Sequence, residues 1–207
     1  MPEIENYLSP RELDEAIKVM AADNVTIVCG GTDLTPQTDS GLRQYANTLL
    51  NIRRIEGLSG VSLEGDSIRI GTLTTVSEIM ENELINKLAP VLVEAGDQFA
   101  SNQIRNAASI GGNLCNASPA GDMSIPLLLL DASVELASWQ NDKIQTRLLA
   151  LNEFFTGPGK TVKEDHELLT AVIFDKPAAN FIARFRKSGP RPALEISTVS
   201  VGIGGNL

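Results

Sequence analysis

The chain has 207 residues, of which 43% are hydrophobic and 21% charged, a composition typical of globular proteins that excludes disorder and collagen-like repeats. Its net charge of −9 argues against a general nucleic-acid-binding protein, because such proteins are normally basic. No run of about 18 apolar residues occurs, so we predict no membrane-spanning helix. The first residues lack the pattern of a signal peptide, and a cytoplasmic location is therefore expected.

The N-terminal part predicts one helix and two short strands. Ser9 and Glu12 have the spacing of a capping box, and an amphipathic repeat of apolar residues follows them. The β-branched run Val25–Val28 predicts a buried strand, and residues 48–52 predict another. We place a hinge at residues 55–58, where this first unit is expected to end.

The rest of the chain mixes strands with short helices. Thr75 and Glu78 form a second capping-box pattern, and turn residues at 65–66 and 141–142 predict two hairpins. No steady strand–helix–strand rhythm is present, so an α+β fold is favoured over a doubly wound sheet. The segments predicted here are strands 61–63, 68–70, 133–138, 144–147, 168–174 and 196–201, and helices 76–83, 90–99 and 123–130.

Cysteine and histidine content argues against several kinds of site. Cys29 and Cys115 are far apart in the chain, which gives neither a disulfide framework nor a CxxC metal pair. His166 is the only histidine and lies in a polar stretch, so we expect it at the surface. A zinc site or a Ser-His-Asp triad is therefore hard to assemble, and we predict no metal site and no catalytic side chain.

Two glycine pairs carry the strongest hint of a ligand. Gly30-Gly31 and Gly111-Gly112 each follow a short apolar stretch and precede a side chain that contains oxygen. Glycine permits positive φ and close approach of a ligand, and successive N–H groups in such turns bind anions. Two such loops from separate units could hold a pyrophosphate between them. On the residues alone, two tight turns after buried strands explain the pattern equally well.

Two other glycine-rich segments do not support nucleotide binding. Residues 157–161 end like a P-loop, but Phe154 stands where the first glycine is required and Pro158 has no N–H. Residues 202–205 begin like a dinucleotide-binding motif, but the pattern is not completed before Leu207.

Two polar segments stay open to two interpretations each. Asp122 ends the small-residue loop 116–122, where it could contact a planar ligand or cap the predicted helix. The window 181–191 indicates an anionic ligand or partner, or simply a solvated strand and loop. This window contains no acid and four basic residues, which are Arg184, Arg186, Lys187 and Arg191.

Five motifs in order resemble the FAD-binding flavoproteins of the molybdenum hydroxylases. Residues 29–34 (Cys-Gly-Gly-Thr-Asp-Leu) resemble the first FAD loop of that family, and 109–114 (Ser-Ile-Gly-Gly-Asn-Leu) resemble the second. Segments 117–122, 154–161 and 186–191 follow at about the expected spacing. The family includes the FAD subunits and domains of xanthine, carbon monoxide and nicotinate dehydrogenases. Each motif is weak alone, but five in order are specific and cover nearly the whole chain.

The resemblance implies an α+β, two-subdomain FAD-binding fold of the molybdopterin dehydrogenase and vanillyl-alcohol-oxidase type. Residues 1–55 would form FAD-binding subdomain 1, residues 56–177 FAD-binding subdomain 2, and residues 178–207 the start of a truncated C-terminal domain. Family flavoproteins usually continue for about one more small domain beyond this point. Cys29 replaces the more usual alanine, a change of similar size.

The resemblance also assigns cofactor contacts. The first loop would wrap the FAD pyrophosphate and ribityl chain, and the second would complete the cradle through backbone amides. Four single positions also match the family: Phe99 an aromatic contact to the cofactor, Asp122 an aspartate near the flavin, Leu168 an apolar neighbour and Lys187 a basic contact. The assigned residues are Ile27, Val28, Cys29, Gly30, Gly31, Thr32, Asp33, Leu34, Phe99, Ser109, Ile110, Gly111, Gly112, Asn113, Asp122, Leu168 and Lys187.

The resemblance implies an electron-transfer subunit of a xanthine dehydrogenase-like complex. Electrons would pass from [2Fe–2S] clusters of an iron–sulfur subunit through FAD to NAD⁺ or another acceptor, while a molybdopterin subunit hydroxylates the substrate. The chain lacks the cysteine clusters that bind iron–sulfur centres, in agreement with a flavin module. One alternative is a truncated assembly module that keeps the fold but not FAD. Another is a vanillyl-alcohol-oxidase relative, for whose cap domain the chain is too short.

Overall fold

The fold contains twelve strands and nine helices in the described part of the chain, residues 4–190 and 196–207 of a computed structural model. The strands are β1 Asn6–Leu8, β2 Val25–Val28, β3 Thr48–Asn51, β4 Val61–Glu64, β5 Ser67–Gly71, β6 Ser133–Gln140, β7 Lys143–Ala150, β8 Phe155–Gly157, β9 Lys160–Thr161, β10 Leu168–Asp175, β11 Phe181–Ser188 and β12 Val199–Asn206. The helices are α1 Leu13–Ala22, α2 Leu34–Asp39, α3 Val76–Glu81, α4 Glu83–Leu88, α5 Pro90–Asp97, α6 Asn102–Arg105, α7 Ile110–Asn116, α8 Ser124–Leu129 and α9 Leu151–Phe154.

The N-terminal unit is a small parallel sheet covered by one helix. Its strand order is β1-β3-β2, and α1 buries Ala16, Ile17 and Met20 against the sheet core. The capping box predicted at Ser9 is wrong, because α1 begins at Leu13 and its N-cap makes no side-chain hydrogen bond. Ser9 instead follows β1 directly, and β1 pairs with β3 in the parallel sheet.

The second unit is a five-stranded antiparallel sheet with the order β4-β5-β10-β6-β7. Both predicted hairpins are confirmed, with positive φ at Gly65 (63°), Asn141 (52°) and Asp142 (58°) in their turns. The capping box at Thr75 and Glu78 is confirmed as well. Helices α3 to α5, α7 and α8 pack on one face of this sheet, so the predicted α+β class is confirmed.

Several predicted elements differ in extent, and two of these differences have a clear structural reason. The sequence predicts one helix over 76–83, but α3 ends at Glu81. Asn82 then caps α4, because its side chain accepts hydrogen bonds from the Leu84 and Ile85 amides. The last strand lies at Val199–Asn206 rather than 196–201, because it pairs along the full length of β11. Gly202 in this strand is a packing residue, since a Cβ there would lie 2.6 Å from Ile125 Cγ2 of α8.

A buried cluster joins the two units. It combines α1 and β3 side chains with Leu73 and Leu168 from the second unit, and Ile55 and Leu58 of the predicted hinge are part of it. The domain boundary at residue 55 stays a prediction. Among residues 4–190 and 196–207, none of the helices has both the length and the apolar character needed to cross a bilayer.

Candidate functional site

A cavity of about 550 Å³ lies where the two units meet. Its wall combines the end of β2 and the loop after it with the first turn of α7 and the start of β10. A volume of this size is typical of a small-molecule site.

The structure brings most of the predicted cofactor residues together at this cavity. Those that line it are Ile27, Cys29, Gly30, Gly31, Thr32, Asp33, Leu34, Phe99, Ser109, Gly111, Gly112, Asn113 and Leu168. Four others do not line it, namely Val28, Ile110, Asp122 and Lys187. Ile110 is fully buried in the core of the second unit, so its side chain stabilises the fold there.

The segments that carry the two glycine pairs lie against each other at Gly30, Cys29, Ala107 and Ser109. A Cβ at Gly30 would lie 2.0 Å from the carbonyl oxygen of Ala107, so only glycine permits this approach of the two backbones. Cys29 Sγ lies 3.4 Å from Ser109 Oγ. On the other side of the cavity wall, Gln37 Nε2 donates to Asn116 Oδ1 at 2.9 Å, which links α2 to α7.

The first glycine loop presents unused hydrogen-bond donors. Gly31 has a φ of 72°, which turns the chain from β2 into the short helix α2. No acceptor within residues 4–190 and 196–207 bonds the backbone amides of Gly30, Gly31, Thr32 or Asp33. Such consecutive free amides in a turn form a concavity that binds anions. This loop therefore fits the predicted role of an anion cradle.

The second glycine pair is not a turn, and its amides are not free. Gly111 and Gly112 lie in the first turn of α7, which Ser109 caps by accepting from Gly112 N at 3.2 Å. The Ile110 and Gly111 amides donate to Thr74 O and Thr72 O, both at 2.9 Å. These three amides are therefore already bonded within the fold, two of them by the neighbouring β5–α3 connection, and Asn113 N donates to Ser109 O at 3.0 Å. Their contact with a cofactor stays a prediction.

The second loop instead offers side chains. The Asn113 side-chain oxygen is buried and has no hydrogen-bond partner among the described residues. An unpartnered buried acceptor costs about 1–3 kcal/mol. Asn113 lines the cavity, so a ligand that donates a hydrogen bond there would recover this cost.

Charges around the cavity are mixed. Partial desolvation by the cavity wall raises the pKa of the Asp33 carboxyl. Lys163 lines the cavity, but its Nζ donates to the carbonyls of Glu164 (2.8 Å) and Glu167 (3.0 Å). Burial raises the pKa of the Cys115 thiol to about 11, so it stays protonated at neutral pH and is a poor nucleophile.

Asp122 and Lys187 form a buried ion pair. Lys187 Nζ lies 2.7 Å from Asp122 Oδ2, and the two side chains are only 3% and 8% exposed for Lys187 and Asp122, respectively. The capping alternative for Asp122 is wrong, because the N-cap of α8 is Met123. The pair ties the loop before α8 to β11, and a direct contact of either residue with a cofactor stays a prediction.

The basic window divides between the two faces of β11. Arg184 and Arg186 are exposed, in agreement with the solvated-strand interpretation, whereas Lys187 points inward. Arg186 forms an ion pair with Glu94 of α5. Arg191 lies outside the described residues.

The rejected motifs have no place at the cavity. Residues 157–161 form the β8–β9 hairpin, with Gly159 at a φ of 67° in the turn, and 202–205 lie within β12. His166 is partly exposed and 3.5 Å from Glu164. Neither of the two glycine-rich segments lines the cavity, and His166 itself does not line it either.

Sequence reasoning missed several residues of the cavity wall. The segment 43–46 lies along β2, because Ala46 N donates to Thr26 Oγ1 at 2.8 Å. Lys163 and Asp165 come from the polar stretch that we expected to be plain surface. The missed residues are Asn24, Val25, Thr26, Arg43, Gln44, Tyr45, Ala46, Ile52, Thr72, Leu73, Ala108, Cys115, Asn116, Lys163, Asp165 and Leu169. Arg43, as a lone basic residue in a polar loop, was the one visible signal.

Comparison with known proteins agrees with this geometry. A family model described as the FAD binding domain in molybdopterin dehydrogenase matches residues 2–177. The chain is 33% identical over 198 residues to the xanthine dehydrogenase FAD-binding subunit of Escherichia coli O157:H7, covering 94% of this chain and 66% of the relative. It is 32% identical to the nicotinate dehydrogenase FAD-subunit of Eubacterium barkeri, covering 95% and 67%. The chain thus spans about two thirds of the length of these relatives.

A solved structure shares the fold. Reconstituted CO dehydrogenase from Oligotropha carboxidovorans superposes with a TM-score of 0.89 at 25% identity, over 97% of this chain and 68% of that one. The agreement extends over both sheets and the β11–β12 pair, because nearly the whole chain is matched.

Proposed function

We infer that the cavity binds FAD, because the chain belongs to the family of FAD-binding domains of molybdopterin dehydrogenases. The observation that carries this inference is the row of free amides at Gly30 to Asp33, residues that line a cavity of about 550 Å³ at the junction of two units. A diphosphate provides the anion that such a row of donors binds. The free amides thereby give a physical reason why residues 29–34, which resemble the first FAD loop of the family, would bind the diphosphate.

The remaining walls fit the rest of a dinucleotide. Apolar side chains of Phe99, Leu168 and Leu169 offer a dry surface for an aromatic ring. Asn113 supplies a buried acceptor for a ligand hydroxyl or N–H. Thr32 can donate and accept beside the free amides.

Each part of the chain has a distinct task in this proposal. FAD, when bound, supplies the redox chemistry, so no catalytic side chain is required of the protein. The first loop holds the anionic part of the ligand, and contact between Gly30 and Ala107 fixes that loop against the second unit. Cys115 stays a neutral thiol in the wall and leaves redox work to the ligand.

Titration of the purified, FAD-stripped chain with FAD tests the proposal. Binding is expected to quench flavin fluorescence with one site per chain and to raise the unfolding temperature, because a ligand that binds only the folded state stabilises it. Retention of the fold with no FAD binding at any concentration would contradict the proposal and favour the assembly-module alternative.

We propose further that the chain acts as the flavin subunit of a dehydrogenase complex. Its relatives are named as FAD-binding subunits of xanthine and nicotinate dehydrogenases. Electrons would arrive from an iron–sulfur subunit, whose partner carries molybdopterin, and leave to NAD⁺ or another acceptor. Anaerobic mixing of the FAD-loaded chain with NADH tests the acceptor: bleaching of the flavin absorbance supports NAD, and an unchanged spectrum points to another acceptor.

A further inference from the structure

A short segment that we call the strap, residues 43–46, closes one side of the cavity. Arg43 N donates to Gln37 O at 3.1 Å, and Ala46 N donates to Thr26 Oγ1 at 2.8 Å. These two bonds fix the strap at both ends, to α2 and to β2. All four strap residues line the same cavity as the free amides of the first loop.

Arg43 is the uncommitted cation of this wall. Its guanidinium makes no hydrogen bond or ion pair with any residue in the described ranges 4–190 and 196–207. The other cation of the cavity, Lys163, is already bonded to two carbonyl oxygens.

The charge of Arg43 reaches the cavity rather than only the solvent. Burial raises the pKa of the Cys115 thiol, and the positive charges of Lys163 and Arg43 both reduce that rise. Cys115 lies on α7, one residue before Asn116, and Asn116 bonds α2 next to the strap. The Arg43 charge is therefore close to the place where α2, α7 and the first glycine loop meet.

We propose that Arg43 binds the phosphate of the cavity's ligand from the strap, opposite the free amides of the first loop. This inference rests on the proposed function, because FAD carries that phosphate. It also explains how a chain with a net negative charge holds a dianionic ligand. The amides of the second loop are already bonded, and the carboxyl group of Asp33 lines the cavity, so a further positive group is needed. Arginine suits the task because its planar guanidinium donates two parallel hydrogen bonds to phosphate.

Arg43 is exposed, so its contribution is partly screened by salt. A charge-assisted hydrogen bond contributes more than a neutral one, and exposure reduces that gain. We therefore expect about a tenfold effect on affinity at low ionic strength, and a smaller one at high salt, where the Debye length falls to a few ångström.

The experiment compares Arg43→Gln with Arg54→Gln in the full chain. Arg54 is also exposed but does not line the cavity, so it controls for the change in net charge. Each variant is titrated with FAD and with riboflavin, which has no phosphate, at about 0.05 M and about 0.5 M salt. Thermal unfolding of the ligand-free proteins checks that both variants fold.

The expected result is about tenfold weaker FAD binding for Arg43→Gln at low salt, a smaller difference at high salt, and unchanged riboflavin binding. Arg54→Gln should bind both ligands like the wild type. Equal FAD affinity for Arg43→Gln and the wild type, or an equal loss for riboflavin, would overturn the inference while the FAD proposal stands. Absence of FAD binding by the wild type would instead overturn the proposed function.

Discussion

The two glycine pairs look alike in the sequence but solve different problems in the structure. Gly30-Gly31 forms an open loop whose amides are free, whereas Gly111-Gly112 opens a helix whose amides are bonded to neighbouring backbone and to Ser109. One loop can bind an anion through its backbone, and the other supports it. Similar local sequence therefore does not imply equal roles in a ligand site.

Within each pair, the first glycine is a packing residue. Gly30 lies against the Ala107 carbonyl, and a Cβ at Gly111 would lie 1.7 Å from Thr72 Oγ1 and 2.9 Å from Thr72 Cβ. The second glycines differ from each other. Gly31 needs a positive φ, but Gly112 is helical and only has close side-chain neighbours. Substitution of each of these four glycines by alanine can separate these roles.

The largest expected effect is that of alanine at either packing glycine. In Gly30→Ala and Gly111→Ala, the new Cβ overlaps backbone or a β-branched side chain, so we expect a loss of about 3 kcal/mol in the free energy of unfolding. Urea unfolding measures the loss. Gly30→Ala should also weaken FAD binding, because it separates the loops that form the cavity.

Gly157→Ala is the matched control for both variants. It lies in β8, outside the positive-φ residues, and a Cβ there meets nothing within 4 Å. Its stability should stay within about 0.5 kcal/mol of the wild type, as for ordinary surface changes. If Gly30→Ala or Gly111→Ala were equally mild, the close packing of the two segments would be refuted.

A smaller effect is expected at Gly31, where only backbone conformation requires glycine. Gly31→Ala should cost about 1–2 kcal/mol, because an L-residue is strained at a φ of 72° and the new Cβ has only one contact, 3.6 Å from Thr35 Oγ1. Gly57→Ala, at a φ of 77° with open space around it, should lose as much stability and keep its FAD affinity. A stability loss at Gly57 alone would contradict this account.

Local patterns predicted most of the fold. The hairpin turns at 65–66 and 141–142 and the capping box at Thr75 depend on a few adjacent residues, and all three are confirmed. The capping box predicted at Ser9 is wrong. Ser9 follows β1, which pairs with a strand about 40 residues away, and no local pattern shows that pairing. The last strand failed for the same reason, since its register is set by β11.

The sequence predicted which residues line the cavity better than it predicted how each of them would bind a ligand. The family motifs placed the first glycine loop at a cavity, yet they could not show that Thr72 and Thr74 use the amides of the second. Those partners come from a connection some 40 residues earlier in the chain. The strap was missed because its place depends on the bond between Ala46 and Thr26, which carries no sequence signature.

Gly112 tests the cavity with little effect on the fold. In Gly112→Ala, the Cβ would lie 3.0 Å from Ser109 Oγ and 3.3 Å from Cys29 Sγ, contacts that small side-chain shifts can relieve. Because alanine also favours the helix, stability should change by less than about 1 kcal/mol. FAD affinity should fall, since the methyl group stands at the junction of the two loops in the cavity wall.

A double variant separates crowding of the ligand from crowding of the protein. Cys29→Ala with Gly112→Ala removes the Sγ contact but keeps the closer one, 3.0 Å from Ser109 Oγ, so only part of the stability change should be relieved relative to Cys29→Ala alone, while the FAD deficit remains. Calorimetric titration and thermal unfolding measure the two effects. Recovery of full FAD affinity in the double variant would show that the methyl group acts on the packing of the loops and not on the ligand.

The smallest expected effect comes from removing the charge of Asp33, the second residue after the Gly30-Gly31 pair. Desolvation raises the pKa of Asp33, so its ionised form is disfavoured in the folded chain, and the cost is present when the pH is above that raised pKa. Asp33→Asn removes it, and the ligand-free variant should unfold at a slightly higher temperature than the wild type at pH 7. As the pH falls through the raised pKa towards the ordinary value of 3.8, wild-type Asp33 becomes neutral and the difference should vanish. A stabilisation that is independent of pH would mean that the asparagine adds a contact of its own, and the charge contrast between the two loops would then have no part in stability.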